Sequence, residues 1–262
     1  MPELPIYQVD AFASRVFEGN PAAVVPLEDL LPDDVMQSIA TENNLAETAF
    51  FIRSGDEYKL RWFTPATEVD LCGHATLASA FVVFEFLEPD RPSVVFDTCS
   101  GPLTVERRGN LLVMDFPSRP PEPVEPCPGL VGALGGSPQE VLASRDYMVV
   151  YASEEEVRAL RPDFYRLAQA DRFAVIVTAP ARSGNYDFVS RFFAPAAGVP
   201  EDPVTGSAHC TLIPYWARRL GKERLRARQV SSRGGELECA LKGSRVEIAG
   251  GAVLYLKGTI RI

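Results

Sequence analysis

Residues Arg61–Phe86 read RWFTPATEVDLCGHATLASAFVVFEF. The stretch opens as a strand and stops at Thr64-Pro65, since proline has no N–H to give a ladder. It closes in a run that is apolar on every side: Ala75, Leu77, Ala78, Ala80, Phe81, Val82, Val83, Phe84 and Phe86. A helix without a polar face has nothing to show to water, so this one is expected to be buried. Gly73-His74 would form its first turn. Backbone amides there lack intrahelical partners and favour anions or developing negative charge.

The same arrangement recurs from Arg191, RFFAPAAGVPEDPVTGSAHCTLIPYWA. Arg61-Trp62-Phe63-Thr64-Pro65 matches Arg191-Phe192-Phe193-Ala194-Pro195. Glu68 then matches Glu201, Gly73 matches Gly206, and Ala75 matches Ala208. Two ordered strand-proline-loop-glycine-helix motifs at about half the chain length indicate an internal duplication. The 262 residues suffice for two domains, each with its own core. The best linker is Pro117–Pro128, PSRPPEPVEPCP, where proline excludes both helix and sheet interior. Domains 1–118 and 119–262 follow, with the final strand a candidate to return to the first.

Around these motifs the first half reads as strands at Ile6–Phe12 and Pro21–Val25. A helix opens at Pro32-Asp33-Asp34 with Val35, Met36, Ile39 and Ala40 as its core face. Strands follow at Leu45–Ile52 and Tyr58–Phe63. The second half reads as a short helix near Pro138–Leu142, a strand Tyr147–Tyr151 and a helix around Pro162–Ala170. Further strands are expected at Phe173–Thr178, Asp187–Phe193, Leu237–Leu241, Val246–Ile248, Val253–Leu256 and Gly258–Ile262. Strands surrounding one apolar helix in each half predict an α+β fold: two pseudo-symmetric domains, each a barrel-like sheet around a central helix. Both helix starts are then expected to open on an interdomain cleft, a favoured place for ligands.

Composition narrows the function. Apolar residues make up 46% and charged residues 23%, an ordinary soluble balance. A net charge of −9 speaks against a broad nucleic-acid surface. No apolar run approaches a membrane span. Met1-Pro2-Glu3-Leu4 lacks the basic start of a leader. Five widely spaced cysteines without a C-x-x-C pair argue against a disulfide framework or a zinc site. A cytoplasmic protein with reduced thiols and no metal is expected. Nucleotide-binding and metallohydrolase motifs are absent, so nucleotide cofactors and metal hydrolysis find no support.

Glu47 is the sharpest candidate for chemistry. Alternation places it on one strand face with Leu45, Ala49 and Phe51, with no obvious cation. Poor solvation there would raise its pKa toward the range useful for proton transfer. A water-facing glutamate on an edge strand is the structural alternative. His74 lies at the first helix tip, and Asp202 and Ser207 at the second; helix capping is the alternative for the latter two. Cys72 precedes Gly73 where a thiolate would be stabilised, although a buried structural thiol is the plainer reading. Its counterpart is Thr205. His209, inside the second helix, reads as core.

These residues carry a family resemblance. Val9-Asp10-Ala11-Phe12, Gly19-Asn20-Pro21-Ala22-Ala23-Val24, Asn44-Leu45-Ala46-Glu47-Thr48-Ala49-Phe50, Phe63-Thr64-Pro65, Glu68-Val69-Asp70-Leu71-Cys72-Gly73-His74-Ala75-Thr76 and Glu201-Asp202-Pro203-Val204-Thr205-Gly206-Ser207-Ala208 resemble the phenazine-biosynthesis PhzF-like isomerase family. The resemblance covers nearly the whole chain. It implies the diaminopimelate-epimerase-like fold, cofactor-independent proton transfer on a small carboxylate-bearing metabolite, and a homodimer. It puts the catalytic glutamate at Glu47 and substrate-binding roles at Gly73, His74, Asp202, Gly206 and Ser207. Asp70, Cys72 and Thr205 are secondary candidates. Related epimerases use a cysteine at each helix tip. Thr205 in the second place disfavours that chemistry, and Cys72 as the single base of an epimerase or racemase is the alternative.

Overall fold

The computed structural model describes residues 3–262. The sequence-based reading of Met1 and Pro2 as free of leader character lies outside those residues. The chain divides into two compact units: Met1–Asp115 with Ala249–Ile262, and Phe116–Ile248. Proline content alone places the boundary at 118/119 and leaves the last strand in the second domain, with a possible return to the first.

The first unit runs β1 Glu3–Ala11, β2 Asn20–Leu27, α1 Asp33–Asn43, β3 Glu47–Ser54, β4 Glu57–Phe63, β5 Glu68–Val69, α2 Gly73–Val82, β6 Ser93–Asp97, β7 Leu103–Arg108 and β8 Leu111–Pro117. Strand β2 pairs with β1 antiparallel and with β3 parallel. Strand β4 pairs with β3 and β5 antiparallel and with β6 parallel, and β7 continues from β6. Strand β3 is thus paired on both sides from Thr48 onward, while Glu47 at its start pairs with Ala22 of β2.

Two cores flank β3. On one side Phe50 and Phe63 meet Met36, Ile39 and Ala40 of α1. That helix starts with Asp33 and Asp34, suited to its positive end, and stops at left-handed Asn44. On the other side lies α2, which packs against β1, β2 and β3. Residues His74–Ala80 and Val82 of α2 are all buried, as its lack of a polar face requires. Its buried hydroxyls are satisfied within the helix: Thr76 Oγ1 donates to Cys72 O (2.6 Å) and Ser79 Oγ to Ala75 O (2.7 Å). The apolar run ends in a wider π turn, Val83–Leu87, so the α-helix stops short of Phe86.

The second unit runs β9 Glu122–Pro123, α3 Leu130–Leu134, β10 Glu140–Ala143, β11 Tyr147–Val150, α4 Glu154–Ala159, α5 Phe164–Leu167, β12 Val175–Pro180, β13 Phe188–Ala194, β14 Val199–Asp202, α6 His209–Leu220, β15 Arg224–Gln229, β16 Gly235–Lys242 and β17 Arg245–Gly250. Its pairings repeat those of the first: β12 parallel to β11 and antiparallel to β13, then β13 antiparallel to β14 and parallel to β15, with β16 following β15. The central α6 contains Pro214 and yet continues. The carbonyl of Cys210 that Pro214 leaves without its helical donor accepts Arg119 N–H instead (2.8 Å). The last strand, β18 Ala252–Arg261, pairs antiparallel with β1 and belongs to the first unit.

Several local expectations change. The short helix expected near Pro138–Leu142 is strand β10; the helix lies earlier, at Leu130–Leu134. Residues Glu140–Ala143 pair one for one with Tyr147–Val150, and pairing with this next strand outweighs a helix-like start at Pro138. Glu122–Pro123 from the proline-rich linker adds a short edge to β10, where proline is tolerated. The two strands expected in the tail are one continuous strand. Among the described residues no helix is long and apolar enough to cross a membrane.

Candidate active site

Strand β3 opens on Glu47, and alternation places Glu47, Ala49 and Phe51 on the side opposite Phe50. Leu45 precedes the strand and packs with the α1 cluster, so it is not a neighbour on Glu47's face. The partner of the Glu47 carboxylate comes from α2. His74 Nε2 stands 2.9 Å from Glu47 Oε2, with the carboxylate side chain 17% exposed and the imidazole 7%. Oε2 makes no well-aligned hydrogen bond despite that short distance, so this buried acceptor keeps unused capacity.

The other face of the imidazole is also occupied. Asn20 Nδ2 lies 3.2 Å from His74 Nδ1, and Cys72 Sγ lies 3.5 Å from Nδ1 and 4.0 Å from Nε2. Burial works against a charged imidazole. The negative charge available at Cys72 and at Glu47 works the other way and prevails, raising His74 well above its ordinary value. Burial pushes the Cys72 thiol upward, reinforced by the Glu47 charge and opposed by His74. Cys72 and Glu47 thus both bear on the His74 proton, the sulfur nearer Nδ1 and the carboxylate at Nε2. The plainer sequence reading of Cys72, a buried thiol, agrees with its 6% exposure.

Glu47, Cys72 and His74 offer donor atoms within 4.8 Å of one another. The carboxylate addresses Nε2 while the sulfur lies nearer Nδ1. A zinc ion bonded at ~2.0–2.3 Å to each donor would need sulfur and carboxylate on the same ring nitrogen. Nε2 is the ring nitrogen within reach of both, 2.9 Å from Oε2 and 4.0 Å from Sγ.

The entry to each central helix is braced alike. Arg61 makes a bidentate pair with Glu68 (Nε–Oε1 and Nη2–Oε2, both 2.7 Å) and lies over the Phe63 ring. Arg191 does the same with Glu201 (2.7 and 2.9 Å) over Phe193. These are the positions matched in the sequence repeat, although the repeat alone does not show that they pair. Ser100 Oγ donates to Asp70 O (2.8 Å), and the Asp70 side chain itself is exposed. Gly73 begins α2, and Cys72 precedes it without a side-chain cap.

In the second unit Asp202 ends β14 and its carboxylate accepts the Thr205 hydroxyl. Gln229, fully buried at the end of β15, accepts Thr205 N–H (2.9 Å) and donates to Asp202 O (2.7 Å). Gly206 is buried and Ser207 half-buried in a 3-10 turn leading into α6. His209 is core, as expected: Nδ1 bonds Thr205 O (2.9 Å), and burial lowers its pKa to about 4. The structure thus brings together Glu47, Cys72 and His74 in one unit, and Asp202 and Thr205 in the other. Sequence reasoning missed Asn20 and Gln229 as members of these clusters. Asn20 stands out in the chain only as part of Gly19-Asn20-Pro21, because burial of a polar side chain leaves no periodic signal.

The family model for phenazine biosynthesis-like proteins (PhzC-PhzF) matches residues 9–258. An uncharacterized isomerase of Pseudomonas aeruginosa is 54% identical over 260 residues, covering 99% of this chain and 100% of that protein. A PhzF-family crystal structure from Enterococcus faecalis superposes with a TM-score of 0.97 at 49% identity, covering 100% of both chains. A hydroxyproline epimerase from Agrobacterium vitis, with bound trans-4-hydroxy-L-proline, shares the fold at a TM-score of 0.59 and 10% identity, covering 98% of this chain and 92% of its own.

Proposed function

The chain belongs to the phenazine biosynthesis-like PhzF family, and from that premise we propose that it moves a proton within a small carboxylate-bearing metabolite, without a cofactor, using Glu47 as general acid and base. It is an isomerase, as its relatives are named. The observation that carries the finer reading is the Glu47–His74 pair: a buried carboxylate oxygen with unused acceptor capacity, 2.9 Å from a ring nitrogen.

Glu47 takes a proton from a substrate carbon activated by a neighbouring carbonyl or carboxylate, then returns it at another carbon. Before that transfer, the His74 cation steadies the Glu47 anion. Once Glu47 is neutral, the same cation faces the negative charge left on the substrate, a favourable interaction in a poorly solvated site. The first amides of α2, at Gly73 and His74, suit the substrate carboxylate. Asp202, Gly206 and Ser207 are taken as substrate-binding from the family motif. The reading includes a homodimer, which light scattering at micromolar concentration checks; a monomer mass there removes it.

A metabolite screen by thermal shift identifies ligands, because a compound that binds the native state raises its stability. Solvent deuterium incorporation into a processed hit then tests the base. Glu47→Gln is expected to lower the rate ~10²–10⁴-fold while Cys72→Ala retains most of it. Loss confined to Cys72→Ala would reassign the reaction to an epimerase or racemase with a thiol base. Incorporation unaffected by either change would remove both readings.

A further inference from the structure

The geometry points to Asn20 as a positioning residue that selects the proton form in which His74 faces Glu47. This inference rests on the reading of Glu47 and His74 as the acid/base pair. Asn20 is fully buried, and its carboxamide lies against His74 Nδ1 at 3.2 Å while Glu47 addresses Nε2. The two contacts take the two ring nitrogens from opposite sides, so they fix the ring plane as well as its protons.

A carboxamide is suited to both proton states. Its NH2 donates to a bare Nδ1, leaving the proton of the neutral ring on Nε2 toward Glu47. Its oxygen accepts from Nδ1–H when the ring is a cation. Rotation about the Cβ–Cγ bond exchanges the two, and amide orientation is assigned from hydrogen bonding. The orientation with Nδ2 toward the ring matches the neutral state. The preference of His74 for its proton matches the reversed one. Proton gain and loss at His74 therefore accompany reversal of the Asn20 amide. An aspartate would serve only the cation, and a leucine neither state. The titratable groups against the ring are Glu47 on β3 and Cys72 at the start of α2.

The backbone before Asn20 is built for this placement. Phe12 (φ 58°) and Phe17 (φ 73°) are left-handed without being glycine, and Gly19 (φ 69°) follows. A Cβ on Gly19 would lie 2.1 Å from Ala11 O. Asp10 Oδ2 accepts Phe17 N–H (2.9 Å), and Ala13 N–H reaches Gly251 O (3.2 Å). A Cβ on Gly250 would strike the Phe12 ring at 2.3 Å. Strain of this kind persists where surrounding structure over-determines it, and it clusters at functional sites. Here it delivers one buried amide to one ring nitrogen.

His74 and His209 are the only histidines, so their ring nitrogens can be resolved by 15N NMR, with His209→Asn assigning the second signal set. The readout needs no substrate, so its failure is separate from failure of the isomerase reading, which the Glu47→Gln deuterium experiment judges. In Asn20→Leu, His74 is expected to lose its single neutral tautomer. In Asn20→Asp, close in shape and the safer variant for folding, His74 is expected to stay doubly protonated to higher pH than in the wild type. A merely structural Asn20 would lower stability and leave the His74 titration and tautomer where they are. That outcome in either folded variant overturns the inference.

Discussion

His74 Nε2 lies 2.9 Å from Glu47 Oε2, and the two side chains come from different kinds of element, the first turn of a buried helix and the first residue of a doubly paired strand. A pair held this way responds to pH as a unit and to mutation from either side.

The pH dependence has a definite sign. The folded state raises His74 well above 6.5, with burial opposing and the Cys72 and Glu47 charges prevailing. The folded protein thus holds a proton that the unfolded chain has released. This stabilisation is fully present below about pH 6.5 and is lost as pH rises through the folded value. Chemical denaturation of wild type and Glu47→Gln from pH 6 to 9 checks it. The wild-type advantage over the variant should shrink with rising pH, and parallel curves would count against the pairing.

His209 acts in the opposite direction. Burial lowers it from 6.5 to about 4, so the unfolded chain binds the proton first as pH falls. Its contribution is present above pH 6.5 and lost toward pH 4, and it amounts to about 3 kcal/mol across that window. His209→Asn, which can still donate to Thr205 O, should flatten the acid limb of the stability profile. An acid limb as steep as in the wild type would assign the loss to other groups.

The two matched arginines should differ in cost. Arg191 is buried at 8% exposure and also donates to Val157 O and Leu160 O, both at 3.0 Å. Arg61 is more exposed and adds only a pair to the exposed Asp33. Arg191→Leu leaves Glu201 and two carbonyls without their donor and is expected to cost about 3–5 kcal/mol. Arg61→Leu is expected to cost about 1–2 kcal/mol, since solvent screens its partners. Urea midpoints decide; equal costs would mean that the repeat is energetically symmetric.

Glycines with the same backbone hand should also separate. Gly19 and Gly55 have φ near +69° and +65°, but only at Gly19 does an added Cβ meet backbone, Ala11 O at 2.1 Å. Gly55→Ala should cost about 1 kcal/mol for conformation alone. Gly19→Ala must also move the Ala11 carbonyl and is expected to cost at least about 3 kcal/mol. Thermal unfolding of the two variants side by side tests the difference.

Much of this was legible in the chain. The apolar run after Gly73 has no face to give to water, so burial follows from composition alone. The repeat at Arg191 required the same strand-loop-helix unit twice, and the pairing orders of the two units are the same. Glu47 stood out because a carboxylate at the head of an apolar strand is poorly solvated wherever that strand packs. Other features were decided only by contacts between elements. Glu140–Ala143 became strand because Tyr147–Val150 was there to pair with it. The imidazole beside Glu47 lies 27 residues on in sequence, and no periodicity links a strand's first residue to a distant helix tip. Asn20 and Gln229 follow the same logic: a buried polar side chain is stable only where its partners converge, and convergence is a property of the folded chain.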